Sequence, residues 1–175
     1  MIPGNHIVYL IGFMGSGKST AGRKLASHLG WSYVDLDERI EYSTRKTINQ
    51  IFSEHGEEHF RKLESEALKD LKNQTNVVIS TGGGTPCFGD NMEYMNRTGV
   101  TVYLKMTPGQ LKSRLAGTKD DRPLLKNLDD IKLLHFIENT LEIREKWYNQ
   151  ADIKVDGFSV DINETVTLIR NSITF

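Results

Sequence analysis

The chain has 175 residues, 38% of them hydrophobic, which is enough for one hydrophobic core and predicts a single domain over residues 1–175. Its net charge of −1, from 22 basic and 23 acidic side chains, gives no sign of a nucleic-acid-binding surface. The one cysteine, Cys87, excludes an internal disulfide framework. Without a long apolar stretch or a signal-peptide pattern, we expect a cytoplasmic protein that binds neither membranes nor nucleic acid.

Five short apolar runs alternate with helical patterns along the chain. Such alternation is typical of βαβ units, in which parallel strands are joined by helices that cover the sheet. We therefore predict an α/β fold of three layers, with a five-stranded parallel sheet between two layers of helices. The predicted strands are Ile7–Ile11, Tyr33–Leu36, Val77–Ile79, Val100–Leu104 and Ile153–Val155.

Two connecting segments are unusual. About residues 37–71 are too many for a simple crossover and are rich in helix formers, so they predict a small helical subdomain beside the sheet that could bind a second substrate. Residues from about 117 to 127 are polar and contain Pro123, which predicts a mobile lid. A long helix is expected after the lid, from Asp129 to about Gln150.

The run from Gly12 to Thr20 matches the pattern Gly-x-x-x-x-Gly-Lys-[Ser/Thr] of a P-loop, between a predicted strand and a predicted helix. Its glycines allow backbone N–H groups to surround phosphate oxygens, and the helix directs its positive end at them. Lys18 would reach the β- and γ-phosphates, and the Ser19 hydroxyl would ligate Mg²⁺. A glycine-rich turn without a ligand is the alternative. The predicted nucleotide-binding residues are Gly15, Ser16, Gly17, Lys18, Ser19 and Thr20.

Asp35 and Asp37 are two residues apart where the second strand is predicted to end. If the strand continues through both, their side chains leave on the same face, at the sheet edge where parallel sheets bind ligands. The pair could then hold hydrated Mg²⁺ and engage an acceptor hydroxyl group. The alternative is that Asp37 caps a helix and Asp35 is a solvated neighbour.

Gly82, Gly83 and Gly84 follow the third strand, where they could let a ligand approach the backbone or could simply form a flexible turn. Arg144 falls within the apolar stripe of the long predicted helix, between Leu141 and Tyr148. A guanidinium that faces inward needs an anion, because burying it unpaired costs several kcal/mol. That anion is either a carboxylate of the protein or one carried by a ligand.

Two further arginines are candidates for anion binding. Glu64 lies one helical turn from Arg61 and could orient it toward a ligand carboxylate, although an ordinary exposed salt bridge is the alternative. Arg122 precedes Pro123 on the predicted lid and could move onto phosphates as charge develops, although it could also be an ordinary surface residue.

Together these motifs make the chain similar to the shikimate kinases, P-loop kinases that share the fold of the nucleoside monophosphate kinases. The resemblance covers nearly the whole chain in order and spacing. It rests on Gly12–Thr20, Asp35-Leu36-Asp37, Gly56-Glu57, Phe60-Arg61, Glu64, Gly82–Gly84, Arg122-Pro123-Leu124-Leu125, Arg144, Tyr148 and Ala151.

The resemblance implies transfer of the γ-phosphoryl group of ATP to the 3-hydroxyl group of shikimate, a step toward chorismate and the aromatic amino acids. By similarity, Asp37 would bind the shikimate hydroxyls and accept a proton, and Asp35 would hold the metal through water. Lys18 and Arg122 would stabilise the transferring group, while the lid excludes water. We expect a monomer. The shikimate carboxylate would be bound by Arg61, Arg144 and the backbone of Gly82, Gly83 and Gly84.

Two other functions fit parts of the sequence. A gluconate-type sugar-acid kinase would share the P-loop and an acidic substrate, but the carboxylate, glycine and arginine motifs are more similar to those of shikimate kinases. A nucleotide-dependent switch without a metabolite substrate is the other alternative. The chain has no Asp-x-x-Gly or Asn-Lys-x-Asp motif, so a GTPase would lack its expected residues.

Overall fold

The computed structural model describes residues 6–117, 123–125 and 128–173. Arg122 and most of the predicted lid lie outside these residues. The strands are β1 Ile7–Ile11, β2 Ser32–Asp35, β3 Val77–Ser80, β4 Val100–Lys105 and β5 Ile153–Asp156. The helices are α1 Lys18–Leu29, α2 Leu36–Thr44, α3 Ile48–Lys69, α4 Asn91–Thr98, α5 Pro108–Leu115, α6 Asp130–Tyr148 and α7 Ile162–Ser172. Short 3₁₀ turns cover Asp70–Asn73, Thr85–Cys87 and Pro123–Leu125.

The five strands form one parallel sheet in the order β2-β3-β1-β4-β5, which confirms the predicted fold. Side chains of β1 alternate between the two faces. Ile7, Tyr9 and Ile11 belong to a core formed with α2 to α6. Val8 and Leu10 belong to a second core formed with α1 and α7. The sheet is therefore covered on both faces, as the near-continuous apolar character of its strands requires.

The sequence also predicted most element boundaries. The long helix α6 lies within the predicted range, and residues 37–71 are mainly helical, in α2, α3 and a 3₁₀ turn. The difference is at the end of β2, because the strand stops at Asp35 and α2 begins at Leu36. Among the described residues, no helix is both long and apolar enough to cross a membrane.

A kink divides α3 at Gly56, where φ is +79° and ψ is 175°. Side chains rarely adopt this positive φ, and a Cβ at Gly56 would meet no neighbouring atom within 4 Å. The glycine is therefore required by the backbone conformation rather than by close packing. The kink lets the two parts of α3 follow different directions, with Phe52 on one side and Phe60 on the other both reaching the same cavity.

Candidate active site

Two adjacent cavities lie where the carboxyl ends of β1, β2 and β3 meet. The nucleotide-side cavity has a volume of about 480 Å³ and is lined by the P-loop, including Lys18 and Ser19. The acceptor-side cavity has a volume of about 420 Å³ and is lined by residues of α2, α3 and α6 together with the glycines that follow β3. Both cavities are lined by Met14, Asp37, Gly82 and Gly83. Two ligands bound here would therefore be close enough to exchange a group.

The P-loop connects β1 to the first turn of α1, as its motif predicts. Lys18 is 8% exposed, and its Nζ donates to the carbonyl oxygens of Gly12 at 2.8 Å and Phe13 at 2.9 Å. No side chain caps the start of α1, and its first turn holds no acidic residue. No side chain in the first turn of α1 therefore neutralises the positive end of the helix dipole. This arrangement favours binding of an anion such as a phosphate.

Asp35 ends β2 and caps α2. Its Oδ1 accepts hydrogen bonds from the backbone N–H groups of Asp37 at 3.1 Å and Glu38 at 3.4 Å. The condition that β2 continues through Asp37 is therefore not met, and the alternative that Asp37 is the helix cap is wrong. The cause is the Asp35 carboxylate, which satisfies the free N–H groups of a new helix. The pattern Asp35-x-x-Glu38, typical of a helix start, could have indicated this.

Asp35 also contacts the P-loop. Its Oδ2 accepts a hydrogen bond of 2.7 Å from the Ser19 hydroxyl. Two oxygen atoms that could ligate a metal ion therefore lie together in the nucleotide-side cavity. Within the described part of the chain, no cluster of three or more His, Cys, Asp or Glu side chains could enclose a metal ion. A pair of oxygen donors fits Mg²⁺, which usually takes only one or two protein ligands and completes its shell with phosphates and water.

Asp37 lies in the first turn of α2, between the two cavities. Its Oδ1 is buried and has no hydrogen-bond partner in the described part of the chain. Burial, followed by the negative charges of Glu64 and Asp35, raises the pKa of Asp37 to about 7, while Lys18 opposes the shift. The carboxyl group can therefore gain or lose a proton near neutral pH, as a group that exchanges protons with a substrate should.

Arg61 lies on α3 and is held by two glutamates. It donates to Glu57 Oε1, at 2.9 Å from Nη2, and to Glu64 Oε2, at 2.5 Å from Nη1. This is not an ordinary exposed salt bridge, because the side chains of Arg61 and Glu64 are only 11% and 1% exposed. Glu64 also accepts a hydrogen bond from Thr85 at 2.7 Å. Burial by itself would lower the pKa of Arg61, but the negative charges of Glu64 and Glu57 outweigh this effect. The pKa is therefore raised above its usual value, and the guanidinium stays charged.

Gly82 and Gly84 pack directly against this ion pair. A Cβ at Gly82 would lie 2.1 Å from Glu64 Oε1, and a Cβ at Gly84 would lie 2.4 Å from Arg61 Cζ. Any larger residue would displace the charged side chains. The two glycines are therefore explained by the close approach of the backbone to Arg61 and Glu64, and not by a need for positive φ angles, which neither residue has.

Arg144 projects from α6 into the same cavity. Its Nη1 is buried and has no hydrogen-bond partner within residues 6–117, 123–125 and 128–173, and its guanidinium lies 5.7 Å from the centre of the Phe13 ring. Among the described residues, no carboxylate forms an ion pair with Arg144, so the predicted internal salt bridge is not found there. Tyr148 follows Arg144 by four residues on α6, and its hydroxyl donates to the carbonyl oxygen of Gly83 at 2.6 Å. The cavity thus holds one arginine paired with glutamates and a second arginine without a carboxylate partner.

Comparison with known proteins shows which family this chain belongs to. The sequence model of the shikimate kinase family matches residues 14–173. The chain belongs to the shikimate kinase family. It is therefore an ATP-dependent kinase of small molecules. A curated shikimate kinase from Parabacteroides distasonis is 44% identical over 166 residues, covering 95% of this chain and 96% of the relative. One from Bacteroides fragilis is 49% identical over 145 residues, covering 83% and 81%.

Solved structures give the same result. A shikimate kinase from Bacteroides thetaiotaomicron aligns with a TM-score of 0.87 at 41% identity, over 96% of this chain and 98% of that chain. A shikimate kinase from Acinetobacter baumannii in complex with shikimate aligns with a TM-score of 0.83 at 32% identity, over 97% and 93%. A gluconokinase from Sinorhizobium meliloti is 18% identical with a TM-score of 0.55, over 95% and 89%, and shows only a shared fold.

Sequence reasoning missed several residues of this candidate site. No motif marked the contact between Tyr33 and Asp35 or that between Tyr148 and Gly83. Arg114 lines the nucleotide-side cavity and donates to the carbonyl oxygen of Phe158 at 3.1 Å. The acceptor-side cavity is further lined by Glu38, Glu41, Thr47, Ile48, Asn49, Phe52, Phe60 and Leu124.

Proposed function

We propose that this chain transfers the γ-phosphoryl group of ATP to the 3-hydroxyl group of shikimate, forming shikimate 3-phosphate and ADP. The observation that carries this proposal is the Arg144 guanidinium in a cavity next to a P-loop: its Nη1 is buried, and it pairs with no carboxylate among the described residues. An acceptor with its own carboxylate would supply the missing counter-charge. Shikimate has such a carboxylate and also has the hydroxyl groups that a kinase phosphorylates.

The acceptor carboxylate would be bound by Arg144, by Arg61 and by the backbone of Gly82, Gly83 and Gly84. Arg144 supplies the positive charge that no glutamate neutralises. Arg61 is already paired with Glu57 and Glu64, so its contribution is a guanidinium held in a fixed orientation. Fixed donors lose little conformational entropy on binding, which favours affinity and correct placement of the substrate.

Asp37 would contact the hydroxyl group that is phosphorylated. It lines both cavities, and its buried Oδ1 has no hydrogen-bond partner among the residues that the structure describes, so a substrate hydroxyl can donate to it. When ionised, Asp37 can accept the proton that this hydroxyl loses as its oxygen bonds to phosphorus. In a loose transition state, its positioning of the hydroxyl contributes together with its basicity.

The nucleotide would occupy the P-loop, with its phosphates at residues 15–20 and Lys18 moving from the carbonyl groups of the loop to the β- and γ-phosphates. Ser19 would ligate Mg²⁺ directly, and Asp35 would hold it through water. Bound Mg²⁺ supplies positive charge to the oxygens of the β- and γ-phosphates. Arg122, which lies outside the described residues, remains our candidate for a second cation at the transferring group.

Several other expectations stay proposals. We propose that residues 1–175 act as one domain, with about residues 37–71 as the acceptor subdomain and about residues 117–127 as the lid. We also propose that the protein is a monomer. A cytoplasmic location fits a kinase that consumes ATP.

A coupled ADP-release assay tests the acceptor. Purified protein is supplied with Mg²⁺ and ATP, and with shikimate, gluconate, AMP or no acceptor, and the product is identified by mass spectrometry. We expect ADP release with shikimate alone, with one phosphoryl group added to it. Turnover with gluconate or AMP, and none with shikimate, would contradict the substrate assignment while leaving the P-loop kinase fold intact.

A further inference from the structure

Tyr33 brings a second hydroxyl group to Asp35, on the nucleotide side of the site. It lies on β2, two residues before Asp35, and its side chain is on the sheet face covered by α1. Its hydroxyl donates to Asp35 Oδ2 at 3.1 Å, the same oxygen that accepts the Ser19 hydroxyl at 2.7 Å. Tyr33 and Ser19 therefore bind one carboxylate oxygen from two elements of the fold.

The two oxygens of Asp35 share four hydrogen bonds. Oδ2 accepts from the two hydroxyls, and Oδ1 accepts from the backbone N–H groups of Asp37 and Glu38. A carboxylate offers about four lone-pair directions, so these donors fix both the position and the rotation of the group. Because Ser19 gives its proton to Asp35, its oxygen lone pairs are left for a cation in the cavity.

The Tyr33 ring is itself held in place. The guanidinium of Arg23 lies over it, 4.6 Å from the ring centre, and Arg23 Nη2 donates to Glu38 Oε1 at 2.8 Å. Glu38 is also one of the residues whose backbone N–H binds Asp35. A phenylalanine at position 33 would keep the ring and its packing but would lose the hydroxyl. The hydroxyl can therefore be tested separately from the hydrophobic contribution of the ring.

We propose that the Tyr33 hydroxyl is a positioning group that holds Asp35 against Ser19 and so sets how strongly Mg²⁺ promotes nucleotide binding. Tyr33 does not touch the nucleotide; it acts through Asp35. The inference rests on the proposed magnesium site, and it extends that site to a residue of β2. Groups behind the direct ligands contribute to metal affinity because they orient those ligands and maintain their charge.

The test is Tyr33→Phe, measured by fluorescence titration with mant-ADP over a range of Mg²⁺ concentrations and in the presence of EDTA. We expect nearly unchanged binding in EDTA, and an increase of about tenfold in the Mg²⁺ concentration that gives half of the maximal enhancement. Tyr9→Phe is the matched control, because it removes a buried hydroxyl that bonds Thr98 rather than a residue of the site. We expect Tyr9→Phe to show the wild-type Mg²⁺ response.

A second variant separates failure of this inference from failure of the magnesium site. Asp35→Asn should shift the Mg²⁺ response at least as far as Tyr33→Phe. A shift in Asp35→Asn with none in Tyr33→Phe would overturn the role of Tyr33 alone. No shift in either variant would overturn the magnesium site as well. If Tyr33→Phe bound mant-ADP more weakly than the wild type even in EDTA, Tyr33 would have a general structural role, and the inference would be overturned.

Discussion

The two cavities of the site bind anions by different means. In the nucleotide-side cavity, the anion-binding groups are the backbone of the P-loop, the first turn of α1 and the side chains of Lys18 and Arg114. Ser19 and Thr20 in this cavity are exposed to solvent. The acceptor-side cavity depends on charged side chains of α2, α3 and α6, among which Glu64 is fully buried. Backbone donors are supplied by the fold whatever the side chains are, whereas the acceptor cavity depends on each charged residue.

This difference indicates that substitutions should affect the two substrates separately. Loss of a charged side chain on the acceptor side should change shikimate binding and leave nucleotide binding intact. Asp37 is the charged side chain that the two cavities share. A change there should affect the transfer step itself, because this residue lies where the two substrates meet.

The largest effect is expected for Asp37→Asn. The amide keeps the shape of the side chain but cannot accept the proton of the hydroxyl, so kcat should fall by about 10²- to 10⁴-fold. Affinity for ADP should stay close to that of the wild type, since the P-loop backbone is unchanged. Steady-state kinetics and mant-ADP titration measure the two quantities. Near-normal turnover would rule out an essential carboxylate at this position.

Arg144→Ala should weaken shikimate binding by about 100-fold, because a charge-assisted hydrogen bond to the substrate carboxylate is lost in a buried site. Nucleotide affinity should not change, and thermal stability should not fall, since no carboxylate of the described chain pairs with Arg144. Arg97→Ala is the control, because Arg97 is 65% exposed on α4. Unfolding of Arg144→Ala without a specific loss of shikimate affinity would indicate a structural role instead.

Asp37 should also make stability depend on pH. Its pKa is raised from 3.8 to about 7 in the folded chain, so the folded state holds the proton more tightly than the unfolded state does. This contribution to stability is fully present below about pH 4 and is lost as the pH rises through about 7. When the pH is raised from about 5 to about 8, the wild type should lose on the order of 1–3 kcal/mol of unfolding free energy that Asp37→Asn keeps. Thermal unfolding of both proteins at both pH values measures this. If the stability difference between the two proteins were the same at both pH values, the shifted pKa would be contradicted.

The smallest effect is expected for Glu64→Gln. The negative charge of Glu64 is the second cause of the raised Asp37 pKa, after burial, so its removal should lower that pKa. The wild-type kcat/KM should rise with pH through about 7, as Asp37 ionises, and the midpoint should move to lower pH in the variant. Glu66→Gln, an exposed neighbour on α3, is the control. A midpoint that does not move would mean that another group controls the profile.

The nucleotide side was predictable from sequence because its residues are contiguous. A P-loop motif between an apolar run and a helical pattern fixes strand, loop and helix together. The apolar stripe of α6 likewise placed Arg144 on the inward face. The sequence left open whether Arg144 pairs with a carboxylate of the protein, because that depends on which residues the other elements bring near it.

Other features required the tertiary structure. The end of β2 was misjudged because the alternation of Asp35 and Asp37 outweighed the helix-start pattern that begins at Asp35. The Gly56 kink gives no clear sequence signal, because a lone glycine within a helical pattern does not reveal its φ angle. The bond between Tyr33 and Asp35 is local in sequence, but it becomes meaningful only when Ser19 of α1 contacts the same oxygen.

The central claim is that Arg144 recognises the carboxylate of a shikimate molecule that this chain phosphorylates. The most direct test compares kcat/KM for shikimate and its methyl ester in the wild type and in Arg144→Ala, with product mass confirmed. We expect the wild type to prefer shikimate by about 100-fold and the variant to lose most of this preference. A variant that discriminates against the ester as strongly as the wild type would show that Arg144 does not recognise the carboxylate.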